Sequence, residues 1–381
     1  MRYICWIFLI GYVVFAGCES RSVIVENTGA GGEGSEGTEY VTFLFSGVPV
    51  TSGTTENRNP SLSPNNIIVA YQSLVEKNRY NIFASNVAYL SQNNLSNSLE
   101  NDIQPVFSPN GYSIAFYRGN DVYYNVYIMD NAGRNQRKIS RTPIDTQDPI
   151  HFSRDGRYII ITSIDADVYN VSRIAIDGTA QEILTQGLGG YNAQVSPLTG
   201  KIVFVSGEVS RQDIYTMYND GTDIEKVTNI WGTYVDPIFS PDERSIAFSK
   251  QIFNFGYYNI FEITIDGDTL RQLTNTLSVD ATPVFTPDGR WIAFNRRVDN
   301  TKDICFISRD RRYEVNFTNA PFTSELFPVF STVGLTMYFE SNYNGVFHIW
   351  SASLMPLYAL RKDASFQISP AGIKGENKLW K

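Results

Sequence analysis

Residues 283–294 read Pro-Val-Phe-Thr-Pro-Asp-Gly-Arg-Trp-Ile-Ala-Phe. The segment from Thr286 to Gly289 suits a tight turn, because proline presets φ, aspartate hydrogen-bonds to its own backbone and glycine accepts a positive φ. The aromatic and β-branched residues on either side of this turn are typical of β-strands. The stretch therefore predicts two strands joined by a tight turn.

The same pattern occurs seven times along the chain. Its Ser or Thr stands at positions 63, 108, 153, 196, 240, 286 and 331, so the spacing is 43 to 46 residues. Each copy continues with a third apolar segment such as 260–263, an Asp-Gly hairpin turn such as Asp266-Gly267, and a short fourth segment such as 271–274. Four antiparallel strands per ~45 residues form one blade of a β-propeller. We therefore expect an all-β fold, a single propeller of seven blades, with six blades as the alternative.

The composition of the chain limits its function. Of 381 residues, 43% are hydrophobic, which is enough to build a core, and the net charge is −8. An acidic chain is a poor partner for a phosphate backbone, so we expect no binding to nucleic acid. The only histidines are His151 and His348, which excludes a site with three His ligands. We expect no metal and no cofactor.

The N-terminus has the features of an export signal. Residues 1–17 contain one positive charge, an apolar run of about a dozen residues and then small residues, which is typical of a signal peptide. A short anchor helix is the alternative. The segment Phe15-Ala-Gly-Cys18 resembles the lipobox of bacterial lipoproteins, although the family prefers Leu where Phe15 stands. This resemblance implies that Cys18 carries a lipid and that the protein is attached to the cell envelope. Glu19 favours the outer membrane, facing the periplasm or the cell surface.

The boundaries of the remaining chain follow from composition. Residues 18–38 hold the candidate lipidated cysteine and a Gly-rich stretch that predicts a flexible tether. The propeller is expected over residues 39–360, and 361–381 form a basic, solvated C-terminal tail. A strand at 40–45 is expected to complete the last blade, whose own fourth strand, near 358–360, looks weak. Cys305 lies in an apolar strand pattern and is expected to be buried and unpaired.

The repeat resembles the PD40 repeats of the TolB type of propeller over about residues 59–360. That family's namesake has six blades and a separate α/β domain before the propeller, whereas this sequence shows seven copies and no such domain. The resemblance implies the fold, and it says little about function. No Gly-x-Ser-x-Gly motif of a serine hydrolase occurs.

One set of residues is predicted to lie at a mouth of the central channel, because each directly precedes the start of a repeat motif. Six of the seven are polar, and loop ends at such a mouth converge on a rigid scaffold. They are Asn59, Gln104, Asp148, Asn192, Asp236, Thr282 and Phe327. In the third copy an extra residue near His151 predicts a structural bulge, and a histidine that contacts a ligand is the alternative.

Two functions fit these observations. The first is a non-catalytic, envelope-anchored scaffold that binds a protein or a glycan at the channel mouth. The alternative is an enzyme that acts on an envelope polysaccharide through paired carboxylates such as those of Asp148 and Asp236.

Overall fold

The computed structural model describes residues 23–25, 38–43, 47–120, 123–142, 144, 148–165, 167–208, 211–230, 232–252, 256–320 and 322–360. The predicted signal peptide, Cys18 and the tail 361–381 lie outside these residues. The described part contains seven sheets, thirty strands and one short helix.

The strands follow the order expected from the repeat. The N-terminal strands are β1 (Val23–Val25), β2 (Glu39–Phe43) and β3 (Val48–Pro49). Blade one holds β4 (Asn57–Leu62), β5 (Ile68–Glu76), β6 (Arg79–Asn86) and β7 (Gln92–Asn94). Blade two holds β8 (Asn101–Phe107), β9 (Ser113–Gly119), β10 (Tyr124–Asp130) and β11 (Arg137–Lys138). Blade three holds β12 (His151–Phe152), β13 (Tyr158–Asp165), β14 (Val168–Ala175) and β15 (Gln181–Ile183).

The second half of the ring repeats this arrangement. Blade four holds β16 (Tyr191–Val195), β17 (Ile202–Ser206), β18 (Asp213–Met217) and β19 (Glu225–Lys226). Blade five holds β20 (Tyr234–Phe239), β21 (Ser245–Ile252), β22 (Tyr257–Thr264) and β23 (Leu270–Gln272). Blade six holds β24 (Asp280–Phe285), β25 (Trp291–Val298), β26 (Thr301–Ser308) and β27 (Tyr313–Asn316). Blade seven holds β28 (Glu325–Phe330), β29 (Thr336–Ser341) and β30 (His348–Ser353), and α1 (Met355–Leu360) follows.

The prediction of seven four-stranded antiparallel blades is confirmed. The repeated turn works as its composition predicts. In blade six the amide of Gly289 donates to the carbonyl oxygen of Thr286 at 2.8 Å, and Gly289 has a φ of +66°. The Thr286 hydroxyl donates to the Asp288 carboxylate at 2.7 Å and accepts the amide of Trp291 at 3.1 Å. This turn sets the register of the two innermost strands.

The core is divided among the blade interfaces. Seven separate apolar clusters occur in the described residues, one between each pair of neighbouring blades. Between blades one and two, for example, Ala70 and Ile82 pack against Ile114 and Phe116. Each blade is therefore stabilised by its two neighbours, as in other repeat architectures. Cys305 is buried in the cluster between blades five and six, as predicted, and burial raises the pKa of its thiol.

The expected closure of the ring was wrong in detail. Strand β2, which covers most of the predicted 40–45 strand, pairs in parallel with β27 of blade six, and β1 pairs with β2. Strand β3 instead completes blade seven by pairing with β30. The reason is packing, because Val41 of β2 is buried against Trp291 and Val315 in the cluster between blades six and seven. The stretch 18–38 predicted as a tether thus includes one paired strand, Val23–Val25.

The expected fourth strand at 358–360 was also wrong. These residues belong to α1, which buries Leu357 in the same cluster, while the Tyr358 hydroxyl donates to the carbonyl oxygen of Gly334 at 3.1 Å. Because β3 already occupies the outer edge of blade seven, the C-terminal segment is free to fold as a helix over the interface.

Candidate binding surface at the channel mouth

The predicted mouth residues lie on or just before the first strand of each blade, which we call the inner strand. In six blades its register with the second strand shifts by a bulge, and the bulged residue has a positive φ of 50° to 55°. These residues are Asn59, Gln104, Asn192, Asp236, Thr282 and Phe327. Left-handed backbone at a non-glycine residue is strained by about 1–3 kcal/mol, and for a β-branched residue such as Thr282 it is unusual. The surrounding ring therefore enforces a conformation that these side chains do not favour.

In blades one, two and four the amide of the bulged residue donates to a side chain of the preceding blade. The amide of Gln104 donates to Gln72 Oε1 at 3.0 Å, and the amide of Asn192 donates to Asp148 Oδ2 at 2.7 Å. The amide of Asn59 donates to the carboxylate of Glu340 across the junction of blades seven and one. These contacts connect neighbouring blades near the central axis and hold the bulges in place.

Asp148 differs from the other six predicted residues. In the described part of the chain, the inner strand of blade three pairs only at His151 and Phe152. The predicted bulge at His151 is absent from this described pairing. Asp148 is 8% exposed, and its carboxylate accepts from the amide and side chain of Asn192 and from the Thr162 hydroxyl. It is a link between blades three and four.

The carboxyl groups at the mouth influence each other. Burial, together with the negative charge of Asp148, raises the pKa of Asp236 to about 6, and a hydrogen bond from the Thr282 backbone opposes this rise. Burial also raises the pKa of Glu340 to about 7, against the hydrogen bond from Asn59 and the charge of Arg58. Asp236 is half-buried, so its carboxyl remains within reach of a ligand at the mouth.

Exposed apolar side chains occur in five of the loops that enter the blades at this end of the propeller. Each lies in the loop that enters a blade, four to six residues before the bulged residue, and is 39% to 94% exposed. They are Leu99, Leu188, Ile230, Leu277 and Phe322. The aromatic side chain of Phe327 is also exposed, by 46%. We call this set of five loop residues the apolar loop ring, and the end of the propeller that carries it the mouth face.

Two pairs of buried charges lie behind the mouth. Arg118 donates to both oxygens of Asp102 at 2.6 and 2.9 Å, and Arg296 donates to both oxygens of Asp280 at 2.8 Å. In blade seven the corresponding acid is Glu325, and Ser341 stands where the arginine would be. Blade seven thus keeps the acid at this repeat position, while a serine replaces its arginine partner.

Sequence reasoning located the bulged residues but missed several others. Gln72, Thr162 and Glu340 all occupy the fifth position of the second strand of their blades. Most copies have a polar residue at this repeat position, and this repeated polarity is the signal that could have found them. The apolar loop ring was missed because its members vary in their distance from the motif. Among the described residues no group of three His, Cys, Asp or Glu side chains could hold a metal ion. No helix in that part of the chain is long and apolar enough to cross a membrane.

Comparison with solved structures agrees with the architecture. An oligogalacturonate lyase from Vibrio parahaemolyticus superimposes with a TM-score of 0.65 at 11% identity, covering 80% of this chain and 93% of that one. TolB from Acinetobacter baumannii gives a TM-score of 0.51 at 18% identity, covering 66% of this chain and 63% of that one. At such identities these likenesses show the fold alone.

Sequence comparison identifies the family. An uncharacterized protein of Agrobacterium fabrum is 26% identical over 156 residues, which are 38% of this chain and 53% of that protein. The family described as the TolB beta propeller domain matches residues 45–224 and 167–355, which together span nearly the whole described ring. The chain therefore belongs to the TolB β-propeller family.

Proposed function

We propose that this protein is a non-catalytic scaffold of the bacterial cell envelope and that its mouth face binds a protein partner. The observation that carries the proposal is the set of six strained bulges. Strained backbone persists where the structure over-determines it, and it concentrates at functional sites. Glycine would remove the strain at each position, yet the chain keeps a side chain at all six.

The apolar loop ring supports a protein as the partner. Several large apolar side chains exposed at one end of a protein, with polar neighbours, are typical of protein interaction sites. Phe322 at 94% exposure and Leu277 at 74% exposure offer anchors that a partner could bury. Inside this ring, Asp236 supplies a carboxylate above its pKa of about 6, which suits a Lys or Arg of the partner.

The contacts of Asp148 weaken the case for an enzyme. A retaining or inverting glycosidase mechanism needs two carboxyl groups that face the substrate. Asp148 is buried and accepts three donors from Asn192 and Thr162, so it is poorly placed to act as nucleophile or base.

The lipobox-like sequence at Cys18 supports a location in the cell envelope. A lipid on this residue would tether the propeller to a membrane, with the outer membrane favoured by Glu19. The mouth face would then be available to envelope proteins.

The proposal is tested by site-specific photo-cross-linking in intact cells. A benzophenone amino acid at Leu277 or Phe322 should give a discrete adduct with one envelope protein. The same probe at Tyr112, which is 72% exposed in the turn between β8 and β9 on the opposite face, is the matched control. The cross-linked partner is then purified and its affinity is measured against wild type, Phe322→Ser and Asp236→Asn.

We expect Phe322→Ser to weaken binding about tenfold or more, since burying an aromatic side chain contributes ~1.5–3 kcal/mol. Asp236→Asn should weaken binding at low salt and have less effect at high salt. Adducts that form equally at Tyr112, or affinities that neither substitution changes while the melting temperature is kept, would contradict the proposal.

A further inference from the structure

A polar cleft opens at the end of the propeller opposite the mouth, between blades three and four. Two adjoining cavities of about 320 Å³ each share Thr199, Gly200 and Asn219. Arg154 and Asp155 line the first cavity, from the turn between β12 and β13. The second is lined also by residues of β14 and of the turn between β18 and β19, namely Arg173, Tyr218, Asp220 and Thr222.

The cleft is open at blade four because the glycine of its turn is shifted by one position along the repeat. Gly200 stands four residues after Ser196, and a Cβ at Gly200 would lie 3.3 Å from Arg154 Cβ. All six other blades have a larger residue at this repeat position. These residues are Ile67, Tyr112, Arg157, Arg244, Arg290 and Leu335. The shift of the glycine by one position thus removes a side chain that would narrow the cleft.

The cleft presents both acceptors and donors. Asn219 Oδ1 is buried, and within the described residues it has no hydrogen-bond partner. A buried acceptor without a donor is unfavourable by about 1–3 kcal/mol, so the half-buried Asn219 side chain would gain a bond by turning this oxygen toward a ligand hydroxyl in the cleft. Arg154 donates through Nε to the carbonyl oxygen of Pro197 at 3.2 Å, while its terminal nitrogens have no partner in the part of the chain that the structure describes.

The charges in the cleft nearly balance. Arg173 is bound to Glu182 at 2.6 Å and donates to the carbonyl oxygen of Asn219 at 3.0 Å, so its charge is already compensated. Arg154 and Asp155 stand next to each other on the turn of blade three, and in blade four the carboxylate of Asp220 is matched by Lys201, whose Nζ lies 4.7 Å from the centre of the Tyr218 ring. A strongly charged ligand would leave one set unpaired, whereas a neutral ligand with several hydroxyl groups fits both.

We propose that this cleft binds one neutral sugar ring of a glycan. Its hydroxyls would donate to Asn219 Oδ1 and accept from the Arg154 guanidinium, and the half-exposed ring of Tyr218, which carries Lys201 Nζ over one face, borders the site. A volume of about 320 Å³ lies at the small end of ligand pockets, as suits a single ring. This site is separate from the mouth face, so the protein would hold a glycan and a protein partner at opposite ends.

The test uses saturation-transfer NMR on the full-length protein with neutral hexoses, N-acetylhexosamines and hexuronates. We expect at least one neutral sugar to bind, with affinity falling about tenfold or more in Arg154→Ala and in Asn219→Ala. Arg290→Ala, at the same repeat position in blade six and therefore away from the cleft, is the matched control and should keep wild-type affinity.

Three results would overturn the proposal. They are the absence of binding by every sugar at millimolar concentration, equal binding by all three variants, and binding of hexuronates alone, which would indicate an anion site. Melting temperatures of the variants close to that of wild type show that a lost signal does not arise from unfolding. A failure here leaves the mouth face untouched, because the cross-linking experiment reads the opposite end.

Discussion

Glu325 is an acid buried without its arginine. It is fully buried in blade seven, where its Oε1 accepts from the hydroxyls of Thr323 at 2.8 Å and Ser341 at 2.9 Å. Its Oε2 has no hydrogen-bond partner among the described residues. Burial raises the pKa of Glu325 from 4.5 to about 7, the two hydroxyls oppose this rise and the charge of Asp303 adds to it.

The raised pKa predicts how stability depends on pH. Between pH 4.5 and about 7 the unfolded chain releases the Glu325 proton while the folded protein keeps it. The folded state therefore loses stability as pH rises through this window. Below pH 4.5 the Glu325 carboxyl is protonated in both states, so its full contribution to stability is present there. We expect Glu325→Gln to melt about 2–4 °C above wild type at pH 8 and at nearly the same temperature at pH 5.

The control for this prediction is Glu225→Gln, a change at an exposed acid on β19. It should leave the melting temperature unchanged at both pH values, since surface substitutions usually change stability by no more than ~0.5 kcal/mol. Calorimetry at pH 5, 6, 7 and 8 measures the two variants. An equal shift of Glu325→Gln at every pH would show that the carboxyl titrates in its normal range.

At the scale of the strand, β2 extends blade six outward. It adds a parallel edge to β27, and Thr38 donates from its hydroxyl to the carbonyl oxygen of Arg311 at 2.9 Å. Val41 is 2% exposed within the cluster between blades six and seven. Removing β2 would expose that apolar surface and the edge of β27.

Two truncated chains test this role. One begins at residue 38 and keeps β2, and the other begins at residue 47 and keeps only β3. We expect the first to unfold at the denaturant concentration of wild type and the second to be destabilised by at least ~2 kcal/mol, from burial of Val41 and the lost ladder. Denaturant unfolding measures both. Identical midpoints would mean that β2 contributes nothing to the ring.

At the scale of the whole molecule, the ring is a set of seven interfaces closed on itself. Deleting residues 237–282 removes about one unit and joins Asp236 to Pro283, which keeps a bulged residue before a proline. Six blades must then close a ring shaped for seven. We expect the single cooperative unfolding transition to be lost, because each blade depends on both neighbours. A deletion variant that melts like the full protein would argue that the ring does not need closure.

Attachment to the membrane is also a property of the whole molecule. Cys18 is the anchor that the lipobox-like sequence suggests, so Cys18→Ser should move the protein from the detergent phase to the aqueous phase. Phase partitioning of whole-cell extracts measures this, with Cys305→Ser as the control that keeps the lipid. Equal partitioning of wild type and Cys18→Ser would contradict the prediction that the protein is a lipoprotein.

The sequence was enough to predict the blades because their turns are local. Thr286, Asp288 and Gly289 set one turn within four residues, and the same chemistry repeats around the ring. The mouth residues could be located but not the bulges on which they lie, because Gln104 and Phe327 are residue types that ordinarily avoid a positive φ. Only the packing of neighbouring blades imposes that conformation.

Long-range pairing was beyond local patterns. Nothing in residues 40–45 shows that they pair in parallel with a strand some 270 residues later instead of completing blade seven. Likewise, the burial of Asp148 depends on Asn192 of the next blade and on the short strand at His151. Polarity predicted an exposed Asp148, and the partners that bury it became visible only in three dimensions.

Strand β3 has a consequence for the order in which the protein assembles. Val50 donates its amide to the carbonyl oxygen of Ile349, a partner 299 residues later in the chain. The ribosome makes β2 and β3 first, yet their partners in blades six and seven are made last. Until synthesis ends, both remain unpaired strands, which are prone to join other chains. Closing so long a loop is slow, so we expect the pairing of β3 with β30, which closes the ring, to limit the rate of folding.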